Sequence, residues 1–303
     1  MDNALTTVLG KIEDSAPLGE RDWQALTTAH DLISVGVAAD EARRRHHDDR
    51  VTYVQVVEVP LENASAADPI PDEAGELRLI GRPATMQEAV QAVQDAVGRA
   101  GTVPVTGFVV EDLLALCSDG TEQLERVLLE LRQTGLAMVA EVSAESLSEP
   151  YPIFSALQAS GVGVARLTVN SPPGVIAQEV LRRVALWDGV GAVCRSFAPL
   201  PRVESGLPST GYNDLRQVAL ARLLVDNIDS IQVDWSLHGP KLAQVALTFG
   251  ADDVDAVSAV ADREQGWRRS PQEEIRRNIA AAGFTAIRRN GCFELMVDRG
   301  RTP

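Results

Sequence analysis

Apolar positions along this chain recur with two different periods, and the switches between them mark its elements. Over residues 20–48, Trp23, Leu26, Leu32, Ile33, Val35 and Val37 return at roughly three- and four-residue steps, the spacing of one helix face. That stretch closes in the charged run Glu41–Arg50, and Val51–Val57, rich in β-branched residues, predicts a strand. Residues 58–75 mix three prolines with acidic and small residues, which is loop composition.

Beyond the loop, helical and strand-like stretches alternate. The pattern predicts helices at 86–97, 121–134, 153–159 and 174–187, each leading into an apolar strand, at 103–110, 136–142, 162–169 and 191–197. Gly135 and Gly161 fall where a helix should stop. Such alternation means parallel strands joined by crossover helices, in an open sheet or a barrel. The last third reads as helices at 215–225, 240–249 and 271–282, with short strands at 230–235, 285–288 and 293–297.

Composition narrows the class. The chain has 303 residues, 45% of them apolar but only 4% aromatic, so its core must be built from small and branched aliphatics. A net charge of −15 argues against nucleic acid or an anionic membrane as partner. No apolar run approaches the roughly 20 residues of a membrane span, and no basic-then-apolar leader opens the chain. A cytoplasmic protein is expected. Cys117, Cys194 and Cys292 are odd in number and far apart, so neither a disulfide framework nor metal-ligand spacing is present.

Candidate chemistry is sparse. There is no Gly-rich phosphate loop, nucleophile elbow, H-E-x-x-H or CxxC. His46 and His47 are adjacent, and neighbours on a helix point about 100° apart, which suits a shared metal poorly. Asp252, Asp253 and Asp255 read as a cation or hydroxyl site, or simply as solvated acids. His238, beside Gly239-Pro240, sits at a strand–helix junction where α/β proteins bind ligands, or is a plain turn histidine.

Two segments carry more. Residues 30–54 (HDLISVGVAADEARRRHHDDRVTYV) and 211–253 (GYNDLRQVALARLLVDNIDSIQVDWSLHGPKLAQVALTFGADD) resemble a radical S-adenosylmethionine (radical SAM) group. That group comprises aminofutalosine synthase, dehypoxanthine futalosine cyclase and deazaflavin (FO) synthase. In those enzymes an ARLMLDNI helix, a strand ending near Trp, a KLAQLAL helix and an FGAND turn follow in the same order. The resemblance implies a TIM-like (β/α) barrel or part-barrel spanning 1–303. Helices at 1–50 would precede a core at 51–200, and a helix-rich segment at 211–297 would complete the barrel. Alignment suggests that one strand–helix unit is missing between 136–142 and 162–169, which would leave an edge uncovered.

The same family binds a [4Fe–4S] cluster through CxxxCxxC just after the first strand. Here that place is the loop 58–75, which holds no cysteine, histidine or methionine. Neither the cluster nor a secure SAM site is expected. Carried over from the family as ligand-binding are Gly107, Trp235, Gly250, Asp252 and Asp253. Three functions follow. The first is a non-catalytic protein partner or regulator of a radical SAM enzyme, in futalosine-route menaquinone biosynthesis. The second is a repurposed enzyme using Glu111, Asp234, Asp252 and Asp253 on a nucleoside- or SAM-like ligand. The third is a small-molecule binding protein with no partner.

Overall fold

The computed structural model describes residues 3–14, 16, 18–118, 120–202, 211–260 and 271–296. Three helices, α1 (Asn3–Glu13), α2 (Glu20–Thr28) and α3 (Leu32–His47), precede the first strand. The continuous helix expected over 20–48 is two, because Asp31 starts a new one: its carboxylate accepts the Ser34 N–H as an N-cap.

The strands are β1 (Arg50–Pro60), β2 (Glu76–Ile80), β3 (Val105–Val109), β4 (Leu136–Ser143), β5 (Gly163–Thr168), β6 (Cys194–Ala198), β7 (Ser230–Asp234), β8 (Asp253–Ser258) and β9 (Thr285–Arg288). Each of β1 to β7 pairs in parallel with the next, and β8 pairs back to β1, so eight strands close into a TIM-like barrel. Helix α4 (Met86–Ala100) follows β2, and α5 (Val110–Ala115) and α6 (Thr121–Thr134) follow β3. Then α7 (Pro150–Ser160) follows β4, α8 (Val175–Ala185) and α9 (Val190–Val193) follow β5, and α10 (Tyr212–Leu224) follows β6. Finally α11 (Trp235–Leu247) follows β7 and α12 (Pro271–Ala281) follows β8. Strand β9 then lies along the first half of β1, pairing Arg50–Tyr53, before β2 takes over that side at Val56.

Closure corrects the expected missing unit. β4 and β5 are directly paired from Met138↔Gly163 to Ser143↔Thr168, with α7 as their crossover, so nothing is lost between them. The shortfall came from two strands that did not read as strands. β2 (ELRLI) and β8 (DVDAVS) are short and alternate charged with apolar residues, so each looks like a polar loop. Their apolar members Leu77, Leu79, Val254 and Val257 join the core between the strands and the helices. Within segment 211–297 the described residues supply the staves β7 and β8. Of the expected strand 293–297, the described residues show a single antiparallel bridge, Arg289↔Leu295; Val297 lies outside them. With β4 and β5 paired, the edge expected from a missing unit between them is not found among the described residues.

Between the strands and the helices lies a continuous aliphatic core. α6 contributes Leu124, Leu128 and Leu131, α4 contributes Val93 and Ala96, and α10 contributes Val218, Leu220 and Ala221, all fully or nearly fully buried. Low aromatic content is satisfied here by close packing of Val, Leu and Ala.

Candidate functional site in the barrel lumen

The charged members of β2 and β8 meet inside the barrel. Asp255 of β8 is fully buried and takes Arg78 of β2 at 2.7 Å, Arg166 of β5, and Arg202 of the segment after β6 at 3.2 Å. Side chains from staves this far apart around a closed wall can meet only through its interior. A β-bulge sets the hub. Against Tyr53–Gln55 of β1, β8 runs from Val254 to Val257 with one residue extra, and Ala256 there adopts a positive φ of 55°.

The cluster is layered along the barrel axis. Nearest the N-terminal ends, Asp253 is held by Arg289 through two bonds of 2.6 Å and by Gln232 at 2.7 Å. In the middle, Arg78 also grips Glu76 at 2.7 and 3.0 Å. Toward the C-terminal ends, where barrel active sites sit, Arg202 reaches Asp234 at 2.7 Å and Glu141 at 3.4 Å, and Arg166 lies 3.5 Å from Glu141. With Glu58 at 3.7 Å from Arg78 Nη1, this sets six carboxylates against four guanidiniums among the described residues. Burial alone would raise the Asp255 carboxyl, but Arg166, Arg78 and Arg202 outweigh it and hold it well below the usual range. Burial, with Arg78 beside it, lowers the Arg166 guanidinium. One nitrogen on each of three arginines, Arg78 Nη1, Arg166 Nε and Arg202 Nη1, is buried without a hydrogen-bond partner.

The rim is stitched from loop to loop. Glu111 in α5 accepts the Ser143 N–H at the end of β4 at 2.8 Å and the Ser146 hydroxyl. Glu145 accepts the Asn170 and Ser171 N–H groups after β5, both at 2.8 Å. Asp234 caps α11 through Leu237 N–H at 2.8 Å while pairing with Arg202. Its own N–H donates to His238 Nδ1 at 3.2 Å, which leaves the ring proton on Nε2 to donate to the Pro201 carbonyl at 3.1 Å. Burial lowers the His238 pKa, consistent with that neutral ring.

The carried-over residues do not converge. Gly107 lies within β3, the third strand, where a Cβ would come within 2.8 Å of Leu79 on β2; the turn after the second strand is Gly81-Arg82. Trp235 opens α11 and belongs to the core. Gly250 and Asp252 sit at the N-terminal end of β8, the opposite end from the C-terminal rim. Gly250 has φ of 103° and its Cβ would meet Arg222 at 2.7 Å. Arg222 donates to the Gly250 carbonyl at 2.8 Å and to the Asp252 carboxylate, which also accepts Ile231 N–H at 2.7 Å. Asp252 therefore caps no helix, as a turn aspartate would, but ties α10 to β7 and β8. Of the expected acid–base groups, Glu111 and Asp234 are at the rim, and Asp252 and Asp253 are at the base. The lumen arginines Arg78, Arg166 and Arg202 were missed; Arg78 had a signal in the alternating charge of β2, matched by Asp253 and Asp255 on β8, and Arg166 and Arg202 had none.

The loop after β1 does not fit an iron–sulfur cluster. It begins with a single 3-10 turn at Leu61–Asn63. Arg99 of α4 donates to its carbonyls at Asn63 (3.2 Å), Ala64 (3.0 Å) and Asp68 (3.1 Å). Residues 58–75 offer oxygen donors only, and iron in such clusters is held by thiolate. Cys194, the one fully buried thiol, opens β6, and burial pushes it up to about 12.

Residues 200–299 match the family described as the CofH/MqnC C-terminal region. Over 94 residues the chain is 34% identical to aminodeoxyfutalosine synthase of Streptomyces coelicolor, covering 29% of this chain and 24% of that one. Over 137 residues it is 38% identical to 5-amino-6-(D-ribitylamino)uracil–L-tyrosine 4-hydroxyphenyl transferase of Methanothermobacter thermautotrophicus, covering 40% and 36%. The chain thus spans about a quarter to a third of these relatives' lengths. Two solved structures share the fold. Methylornithine synthase (PylB) does so with a TM-score of 0.60 at 13% identity, covering 92% of this chain and 97% of that one. HydG, a maturase of the [FeFe]-hydrogenase, does so with a TM-score of 0.63 at 11% identity, covering 95% and 76%. No helix among the described residues is long and apolar enough to cross a membrane.

Proposed function

We infer, for a chain whose residues 200–299 match the CofH/MqnC C-terminal region family, that it works by binding rather than by radical chemistry. Its role is that of a non-catalytic partner or regulator of a radical SAM enzyme, in futalosine-route menaquinone biosynthesis. The observation carrying this reading is the lumen. Arg78, Arg166 and Arg202 converge on Asp255 inside the barrel and spend their charge on the carboxylates beside them. The Arg99-laced loop adds a donor set unsuited to iron. The part of the family pattern that persists, Arg222 with Gly250 and Asp252, is scaffold rather than chemistry.

A second reading, a repurposed enzyme, has one observation in its favour: three lumen guanidiniums each keep a buried nitrogen without a hydrogen-bond partner. Analytical ultracentrifugation separates the two. The partner reading predicts that the chain co-sediments with the radical SAM enzyme encoded nearest to it in its host, and alters that enzyme's turnover. A monodisperse monomer that leaves every such enzyme's turnover unchanged contradicts it.

A further inference from the structure

Val175 and Ile176 open α8 at the C-terminal rim of the barrel and are 83% and 69% exposed. Nothing in the helix itself explains them. β-branched residues are modest helix formers, and a first turn is stabilised by acidic side chains, of which α8 has none there. The neighbouring helices open in the same way. Tyr212 is the first residue of α10 and Tyr151 the second of α7, each 51% exposed. A cleft lined by Gly174 and Asn213, among others, sets the start of α8 beside the start of α10. Glu145 ties the turn before α7 to the turn before α8 through the Asn170 and Ser171 N–H groups. Single exposed apolar residues are ordinary, whereas four on three adjoining rim turns make a patch that calls for a cover.

Charge selects the cover. Glu149, just before α7, and Glu179, one turn into α8, are exposed, and their carboxylates have no ion-pair or hydrogen-bond partner among the described residues. The cations beside the patch are engaged. Arg182 pairs with Glu20, and Arg183 donates to the Ala144 carbonyl at 3.0 Å. Arg216 donates to the Ala29 carbonyl while lying 5.8 Å from the Tyr212 ring. The rim therefore offers an apolar surface edged with free carboxylate. A second copy would set the same carboxylates against one another across a two-fold axis. An anionic membrane or nucleic acid would be repelled. The complement is a protein surface in which apolar side chains are edged with positive charge.

We propose that this rim, at the starts of α7, α8 and α10, is the surface on which the chain's protein partner docks, and that the partner's face carries apolar side chains flanked by lysine or arginine; this rests on the partner reading above. Sedimentation velocity of the full chain with the purified radical SAM enzyme encoded nearest to it in its host, across a salt series, tests it. Val175→Asp with Ile176→Asp should weaken the association at least tenfold. Acids in a first helical turn are favourable, so the Tm of that variant should not fall. Glu149→Lys with Glu179→Lys, at two exposed positions, decides independently: it should weaken binding several-fold and flatten its salt dependence. Leu186→Lys, at a residue 72% exposed at the far end of α8, should bind as the wild type does. If the wild type binds and both double variants bind equally well, this surface is wrong while the partner reading stands. A wild type that does not bind the enzyme removes both. Self-association of the chain alone, lost in the double Asp variant, would give the patch to a second copy and overturn the proposal.

Discussion

The two sides of the barrel wall are held by opposite chemistry. Outside, between strands and helices, Leu124, Leu128, Val93 and Val218 make a non-directional aliphatic layer in which each residue contributes through area and packing. Inside, Asp255, Arg78, Arg166 and Arg202 make a directional cluster in which each charge depends on its partners. An aliphatic layer degrades by increments when trimmed. A buried ion cluster is different, since losing one member strands the others without solvent or countercharge. The difference teaches where specificity lies: the outer layer makes the chain compact, and the lumen fixes which staves face one another.

Truncation should expose that contrast. Asp255→Ala leaves three guanidiniums short of a carboxylate and should cost about 3–5 kcal/mol in denaturant unfolding. The effect should depend on pH. The Asp255 carboxyl is depressed in the folded state, so its contribution is complete above about pH 4, where the unfolded carboxyl titrates, and is lost as pH falls through the folded value. The variant should therefore show a flatter acid limb than the wild type. Leu128→Ala in the outer layer should cost about 2–4 kcal/mol, with no change in the shape of the pH profile. Equal pH profiles for both variants would erase the distinction.

Asp252→Ala extends the comparison to the base of the barrel. A lost helix cap costs about 1 kcal/mol, whereas Asp252 is a buried partner of Arg222, so about 3 kcal/mol is expected. A loss near 1 kcal/mol would mean that Asp252 does no more than a helix cap would. The smallest effect should come from His238. Burial lowers its folded pKa, so stability is full above the unfolded value near 6.5 and declines as pH falls through the folded value. His238→Gln should flatten the stability curve between about pH 5 and 7. An unchanged slope would mean that the ring is protonated in place.

The same contrast explains what could be read from the chain. The outer layer announces itself as periodicity, so α4, α6, α10 and the strands β1, β4, β5 and β7 were legible within a few residues. The lumen did not, because inward charges at Glu76, Arg78, Asp253 and Asp255 make β2 and β8 resemble loops. Overlooking them produced an apparent missing unit and the uncovered edge inferred from it. The similarity at 211–253 was read correctly as family, but its residues were carried to a ligand when Arg222, Gly250 and Asp252 are occupied with one another. Pairing between Arg222 and Asp252 joins residues 30 apart in sequence, which no periodicity reveals.

Anaerobic reconstitution of the purified chain with iron and sulfide tests the central claim most directly, because a cluster-free barrel and a cluster enzyme give opposite results in one experiment. With oxygen donors alone in residues 58–75, and Cys117 after α5, Cys194 in β6 and Cys292 after β9, the account predicts a colourless protein with far less than stoichiometric iron after desalting. Stoichiometric iron with a visible charge-transfer band, lost in Cys117→Ala, would contradict it.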